Sequence, residues 1–246
     1  MKKTAIFALV AMASLTVSSF AHAETSVDYR SNGSVEFVPN TDITPPVDPE
    51  NPDPENPVTP IDPTDPEGPN PGTQGPLSID YASSLDFGIN KISTKDETYV
   101  AKAQELSDGR YVPNYVQVTD NRGTNAGWIL QVKQNGQLSN PDTQHQTLTG
   151  AVIEFSDSAV LGTQDDVPPP SHSSSFTLDP DGATSLVLQA ADGEGAGTWV
   201  NRFGEVDGDG TSNSAITLSV PGKTPKDQAT YSTTLTWNLS DVPANK

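Results

Sequence analysis

The chain has 246 residues, of which 13 are Lys or Arg and 32 are Asp or Glu, for a formal net charge of −19, and it has no cysteine. So acidic a composition lacks the basic footprint that phosphate binding needs, so no nucleic-acid partner is expected, and it disfavours adsorption to anionic lipid. The missing cysteines exclude thiol catalysis, thiolate metal sites and disulfide staples, which leaves stability to the core.

The chain opens with Lys2 and Lys3, an apolar run from Ala5 to about Val17, and then Ala21-His22-Ala23. Basic start, short apolar stretch and A-x-A site predict a secretory signal peptide over residues 1–23, cut after Ala23. No later segment is apolar enough to span a bilayer, so no direct membrane insertion is expected after cleavage. Loss of Lys2 and Lys3 leaves 11 basic against 32 acidic side chains, a formal −21. Such a protein is expected to hold a surface through neutral or cation-bridged contacts.

Residues 24–40 contain "GSVEFVPN", where Val35 and Phe37 alternate with Glu36. That is a leading strand, expected either to dock on the main domain or to stay loose. Residues 41–76 hold 12 prolines and eight Asp or Glu, with no Lys or Arg. Prolines 57, 60, 63, 66 and 69 match the three-residue turn of polyproline II. At ~3.1 Å per residue the stretch could reach on the order of 110 Å. It is expected to be a disordered, acidic, proline-rich linker or loop.

Residues 77–246 read as one β-domain. Leu77, Ile79 and Tyr81 alternate, and valines 116 and 118 follow Asp108-Gly109. Trp128, Leu130 and Val132 share a face and run into Asn135-Gly136, a tight-turn dipeptide. Ala151, Ile153 and Phe155 come next, then a hairpin expected around Asp179-Pro180-Asp181-Gly182. Ile216, Leu218 and Val220 form another run, and Leu235, Trp237 and Leu239 the last. Only residues 99–109 offer a short helix candidate. The fold class predicted is all-β: an antiparallel β-sandwich, Ig-like or barrel-like, with long loops, preceded by the disordered segment.

Two of the chain's three tryptophans sit in the pattern W-x-L: Trp128 with Leu130, and Trp237 with Leu239. In a strand, residues two apart point the same way, so each pattern places an indole beside a leucine. Behind Trp237 the opposite face is Ser232, Thr234, Thr236, Asn238 and Ser240, wholly polar. Such strands lay their apolar stripe on a core. The competing role is an exposed indole stacked on a sugar ring. Both remain open at the level of sequence.

"GWILQVKQ" and "YSTTLTWNLSDVP" resemble the two signatures of the WxL-domain family of Gram-positive cell-surface proteins. "SNGSVEFVPN" before the acidic stretch, "LDFG" after it and "GTWVNRFG", which holds Trp199, fit the same pattern. The resemblance implies a secreted protein of the cell surface, held non-covalently by binding peptidoglycan. It also implies membrane-anchored WxL-interacting proteins as partners in a surface complex. The closing residues carry no L-P-x-T-G signal, which agrees with retention by binding. Carried onto this chain, the motif residues are Trp128, Leu130, Trp237 and Leu239. Alternatives are a wall glycan hydrolase and an adhesin for host matrix components.

No catalytic constellation stands out: there is no G-x-S-x-G elbow, and no carboxylate pair is marked. His145 and His172 lie in polar sequence without metal-ligand spacing. Asp207 and Asp209, in "EVDGDGTSN", are weak candidates for a cation, although the loop lacks the calcium-loop order. A binding module with no cofactor is expected.

Overall fold

The computed structural model describes residues 26–241; the expected signal peptide and the last five residues lie outside them. The chain divides into two units, the first ending at Glu36. No strand forms in residues 26–40, and Val35 and Phe37 are 76% and 89% exposed, so the expected leading strand is absent there.

Among the described residues fourteen strands follow. They are β1 (Leu77–Ala82), β2 (Glu97–Lys102), β3 (Gln104–Glu105), β4 (Tyr111–Val112), β5 (Tyr115–Asp120), β6 (Trp128–Gln134) and β7 (Val152–Phe155). Then come β8 (Ser158–Gly162), β9 (Ser171–His172), β10 (Phe176–Thr177), β11 (Ser185–Ala190), β12 (Gly197–Phe203), β13 (Ser212–Val220) and β14 (Leu235–Asp241). They build three four-stranded sheets, ordered β1-β5-β12-β8, β10-β7-β13-β2 and β14-β6-β11-β9, with β3-β4 as a separate pair. Every ladder is antiparallel. The all-β expectation holds, and no helix occurs among the described residues. The helix candidate at 99–109 is strand instead: β2 lies along β13, and Asp108-Gly109 turns β3 into β4. The turn at Asp179–Gly182 forms, with Gly182 N–H donating to Asp179 O, but it makes no hairpin. Its flanks, β10 and β11, pair with different sheets.

The inner faces of the three sheets meet in one core. Val116 and Val118 come from β5, Trp199 and Phe203 from β12, Trp128 to Val132 from β6, Ile153 and Phe155 from β7, and Ile216 and Leu218 from β13. Phe155 stacks on Phe176 at 4.8 Å and meets Phe203 edge-on.

A second cluster lies on the reverse side of the first sheet: Tyr81, Tyr115, Val112, Val200 and Leu106, with Val47 buried against them and Val58 partly so. Val47 and Val58 belong to the proline-rich stretch, which therefore does not behave as a disordered linker. Val47 N–H donates to Gln117 Oε1 at 2.8 Å, and Gln117 Nε2 donates to Pro45 O. Ile61 N–H donates to Glu105 O, Ser107 N–H to Thr59 O, and Arg110 pairs with Asp48 at 2.7 Å. Proline suits this strap, because a segment outside the ladders loses little by lacking N–H groups. The compact unit thus begins well before residue 77.

Candidate functional site

Strand β6 is one of the two inner strands of its sheet, and β14 pairs with it along its whole length. Its side chains alternate strictly: Trp128, Leu130, Val132 and Gln134 are buried, and Ile129, Gln131 and Lys133 are half-buried. The register sets Leu130 opposite Leu239, Val132 opposite Trp237 and Trp128 opposite Asp241. The two W-x-L motifs therefore lie side by side and run in opposite directions, with the leucines at the centre and a tryptophan towards each end. A directly opposed pair on one face is the contact unit of a sheet, contributing roughly 0.2–1 kcal/mol.

Trp128 is 0% exposed, and its indole N–H donates to Gly195 O at 3.0 Å. Gly195 has φ +70°, and a Cβ there would stand 2.5 Å from Ala190 Cβ and 2.9 Å from Trp128 Nε1. Only glycine lets the backbone approach the indole so closely. Gly127, just before the tryptophan, is held by its carbonyl, which accepts from Arg122 Nη2 at 2.8 Å. Arg122 in turn forms a two-pronged pair with Asp120, through Nε at 2.9 Å and Nη2 at 2.8 Å. The side chains of Arg122 and Asp120 are 15% and 2% exposed, so this fork is largely shielded from water. Asp120, Arg122 and Gly195 were not singled out by sequence. Only the packed fold shows what "DNRG" and "GEG" support.

Trp199 on β12 is also buried, with its N–H on Ala196 O at 2.9 Å and Gly162 packed beneath the ring. Trp237 differs. It faces the core but sits on an outer strand and is half-buried. Trp128, Leu130 and Trp199 thus hold the fold in this arrangement, while part of the Trp237 side chain reaches solvent.

The outward positions of β14, β6 and β11 carry hydroxyls, amides and aliphatic groups. Asn238 lies opposite Gln131, which lies opposite Leu186, and Ser240, Ile129 and Gln189 form the adjacent row. Asn135 Nδ2 donates to Thr234 Oγ1 and Thr236 Oγ1 at 2.9 and 2.8 Å at one end of this face.

The weak cation candidates Asp207 and Asp209 are both engaged within their own loop. Asp209 spends its carboxylate on Thr211 N–H, Ser212 N–H and the Ser212 hydroxyl, and Asp207 accepts from Ser214. Those bonds hold the Asp209 pKa below the usual carboxylate range. Among the described residues no three His, Cys, Asp or Glu side chains gather as metal ligands. His145 pairs with Asp227 at 2.9 Å, and His172 is exposed on β9. No described helix is long and apolar enough to cross a membrane.

Residues 24–243 match the WxL domain, a surface cell wall-binding domain. The match spans nearly the whole chain, and the protein belongs to the WxL family. It is a secreted protein of the cell wall and surface, of a family of binding domains and not of enzymes. Neither the curated proteins nor the solved structures include a match to it.

Proposed function

We propose that this protein binds peptidoglycan of the Gram-positive wall without a covalent bond and joins a surface complex with membrane-anchored WxL-interacting proteins. The observation that carries this reading is the family match from residue 24 to 243, which takes in both W-x-L motifs and the sheet they share. The paired motifs tie β6 and β14 into one ordered ladder. Such a ladder suits binding to a polymer, because little order remains to be gained on contact.

The test is a pull-down of residues 24–246 on sacculi stripped of teichoic acid. Saturable retention of the folded protein is the expected result. A protein that stays in the supernatant at every sacculus concentration would end the peptidoglycan reading and move the search to protein partners. The same suspension should keep its turbidity, since a binding domain leaves the glycan intact.

A further inference from the structure

The chain is acidic over most of its length, yet the outward-facing rows of one sheet hold no Asp or Glu. They form the outer face of β14, β6 and β11, the reverse of the face that buries the two motifs. We propose that this face is a binding site for an uncharged, N-acetylated glycan chain; the inference rests on the wall-binding reading only for the source of that glycan.

Three observations support the assignment. The first is charge. The formal −19 of the chain repels anionic polymers, but neither of these outward rows holds an Asp or Glu, and the next row, Thr236 opposite Lys133, adds a single positive charge. A wall strand can therefore approach here at little electrostatic cost. The second is hydrogen-bonding chemistry. Gln131, Asn238 and Gln189 are amides, each with two N–H donors and a carbonyl acceptor, which matches the mixed donors and acceptors of hydroxyl and acetamido groups. No hydrogen bond ties the Gln131, Asn238 or Gln189 side chain to another described group, and Asn238 and Gln189 are exposed. The third is shape. Neighbouring strands lie about 4.8 Å apart and outward residues about 7 Å apart along each strand, so the two rows form a regular grid of side chains. Ile129 on β6 and Leu186 on β11 are diagonal neighbours that add apolar groups to this grid. Leu186 is 39% exposed, so its side chain is open to contact on this face. A sugar chain, with hydroxyls at its rim and C–H groups on its faces, matches that alternation.

The charged stem peptides of peptidoglycan fit this face less well, since one lysine without a carboxylate cannot meet both signs. The glycan backbone is thus the part recognised.

The experiment compares residues 24–246 with the double variant Gln131→Ala/Asn238→Ala and with Leu186→Ala, all checked for unchanged thermal unfolding. The probes are intact sacculi, sacculi freed of stem peptides by an amidase, soluble stem peptide, and chitohexaose titrated against the amide resonances of the protein. Wild-type binding to both sacculus preparations, at least tenfold weaker in the double variant, is expected, with chitohexaose shifting resonances of β14, β6 and β11. Sacculus binding that both variants retain in full would overturn this site and leave the wall reading standing. Chitohexaose shifts on this face without sacculus retention would keep the site and sink the peptidoglycan reading. Binding of the stem peptide alone would overturn the glycan assignment.

Discussion

Leu130 and Leu239 face each other directly across the β6–β14 ladder, so the leucine of each motif packs against the leucine of the other. The pattern is thus one device in two halves. Its tryptophans are not equivalent: Trp128 is enclosed and hydrogen-bonded, whereas Trp237 lies half-buried on an outer strand. The two should respond differently to the same substitution.

Trp128→Phe removes an indole bond to Gly195 and leaves a void in a fully buried site. A loss of about 2–3 kcal/mol is expected from the missing bond and cavity together. Trp237→Phe, at a site that can relax towards solvent, should cost about 1 kcal/mol or less. Urea unfolding of both variants checks the ranking, and equal losses would contradict the buried and half-buried assignments.

Gly195→Ala should be as damaging as losing the indole bond itself. It places a methyl 2.5 Å from Ala190 Cβ at a backbone φ of +70°. A destabilisation of at least about 1–2 kcal/mol is expected from strain and clash combined. Gly193→Ala makes the control, because a Cβ there meets nothing within 4 Å although φ is similar, at +86°. Comparing their melting temperatures separates crowding from backbone strain.

The strap makes its own prediction. Val47→Ala removes two methylene-sized groups from the second cluster and should cost about 1–2.5 kcal/mol. Residues 45–62 should also resist limited proteolysis until the domain itself opens, whereas residues 26–40 should be cut under native conditions. Fast native cleavage within 45–62 would show that the strap lifts independently of the sheet.

Asp80 gives a pH dependence with a definite sign. It is 3% exposed, and burial pushes its pKa up against the hydrogen bonds from Ser78, Thr119 and Gln117. A carboxyl that titrates higher folded than unfolded binds its proton more tightly in the native state. Its burial therefore penalises the fold above the folded pKa, and the penalty fades as pH falls through that value. Wild type should gain stability relative to Asp80→Asn on going from pH 7 to about pH 4.5. Parallel urea midpoints across that range would contradict the shift. Gln117 links this carboxylate to the strap, so loosening at Pro45 and Val47 should follow the same titration.

The alternation in β6, β7 and β13 was legible because half-buried strands repeat every two residues whatever surrounds them. The pairing of β6 with β14 was not. Register between distant strands depends on the whole fold, and no local signal encodes it. The strap was misread because its composition resembles that of solvated linkers, while its attachment rests on Val47, Val58 and a few bonds to Gln117, Gln104 and Arg110. At 99–109 the local preference for helix yielded to the ladder with β13. Of the candidate site, the motif residues were readable one by one. The clamp of Asp120, Arg122 and Gly127 beneath Trp128 was not, because it joins a strand end, a turn and a side chain that only the finished packing brings together.

The ladder between β6 and β14 also sets the order in which this molecule can become itself. A mid-chain strand waits for the last one, roughly a hundred residues later, and closing so long a loop precedes any gain from the contact. A chain that emerges amino end first cannot complete this sheet until β14 has left the export channel. Folding is therefore expected to be late and slow, and a chain truncated before Leu235 should leave the edge of β6 bare to pair with whatever strand it meets.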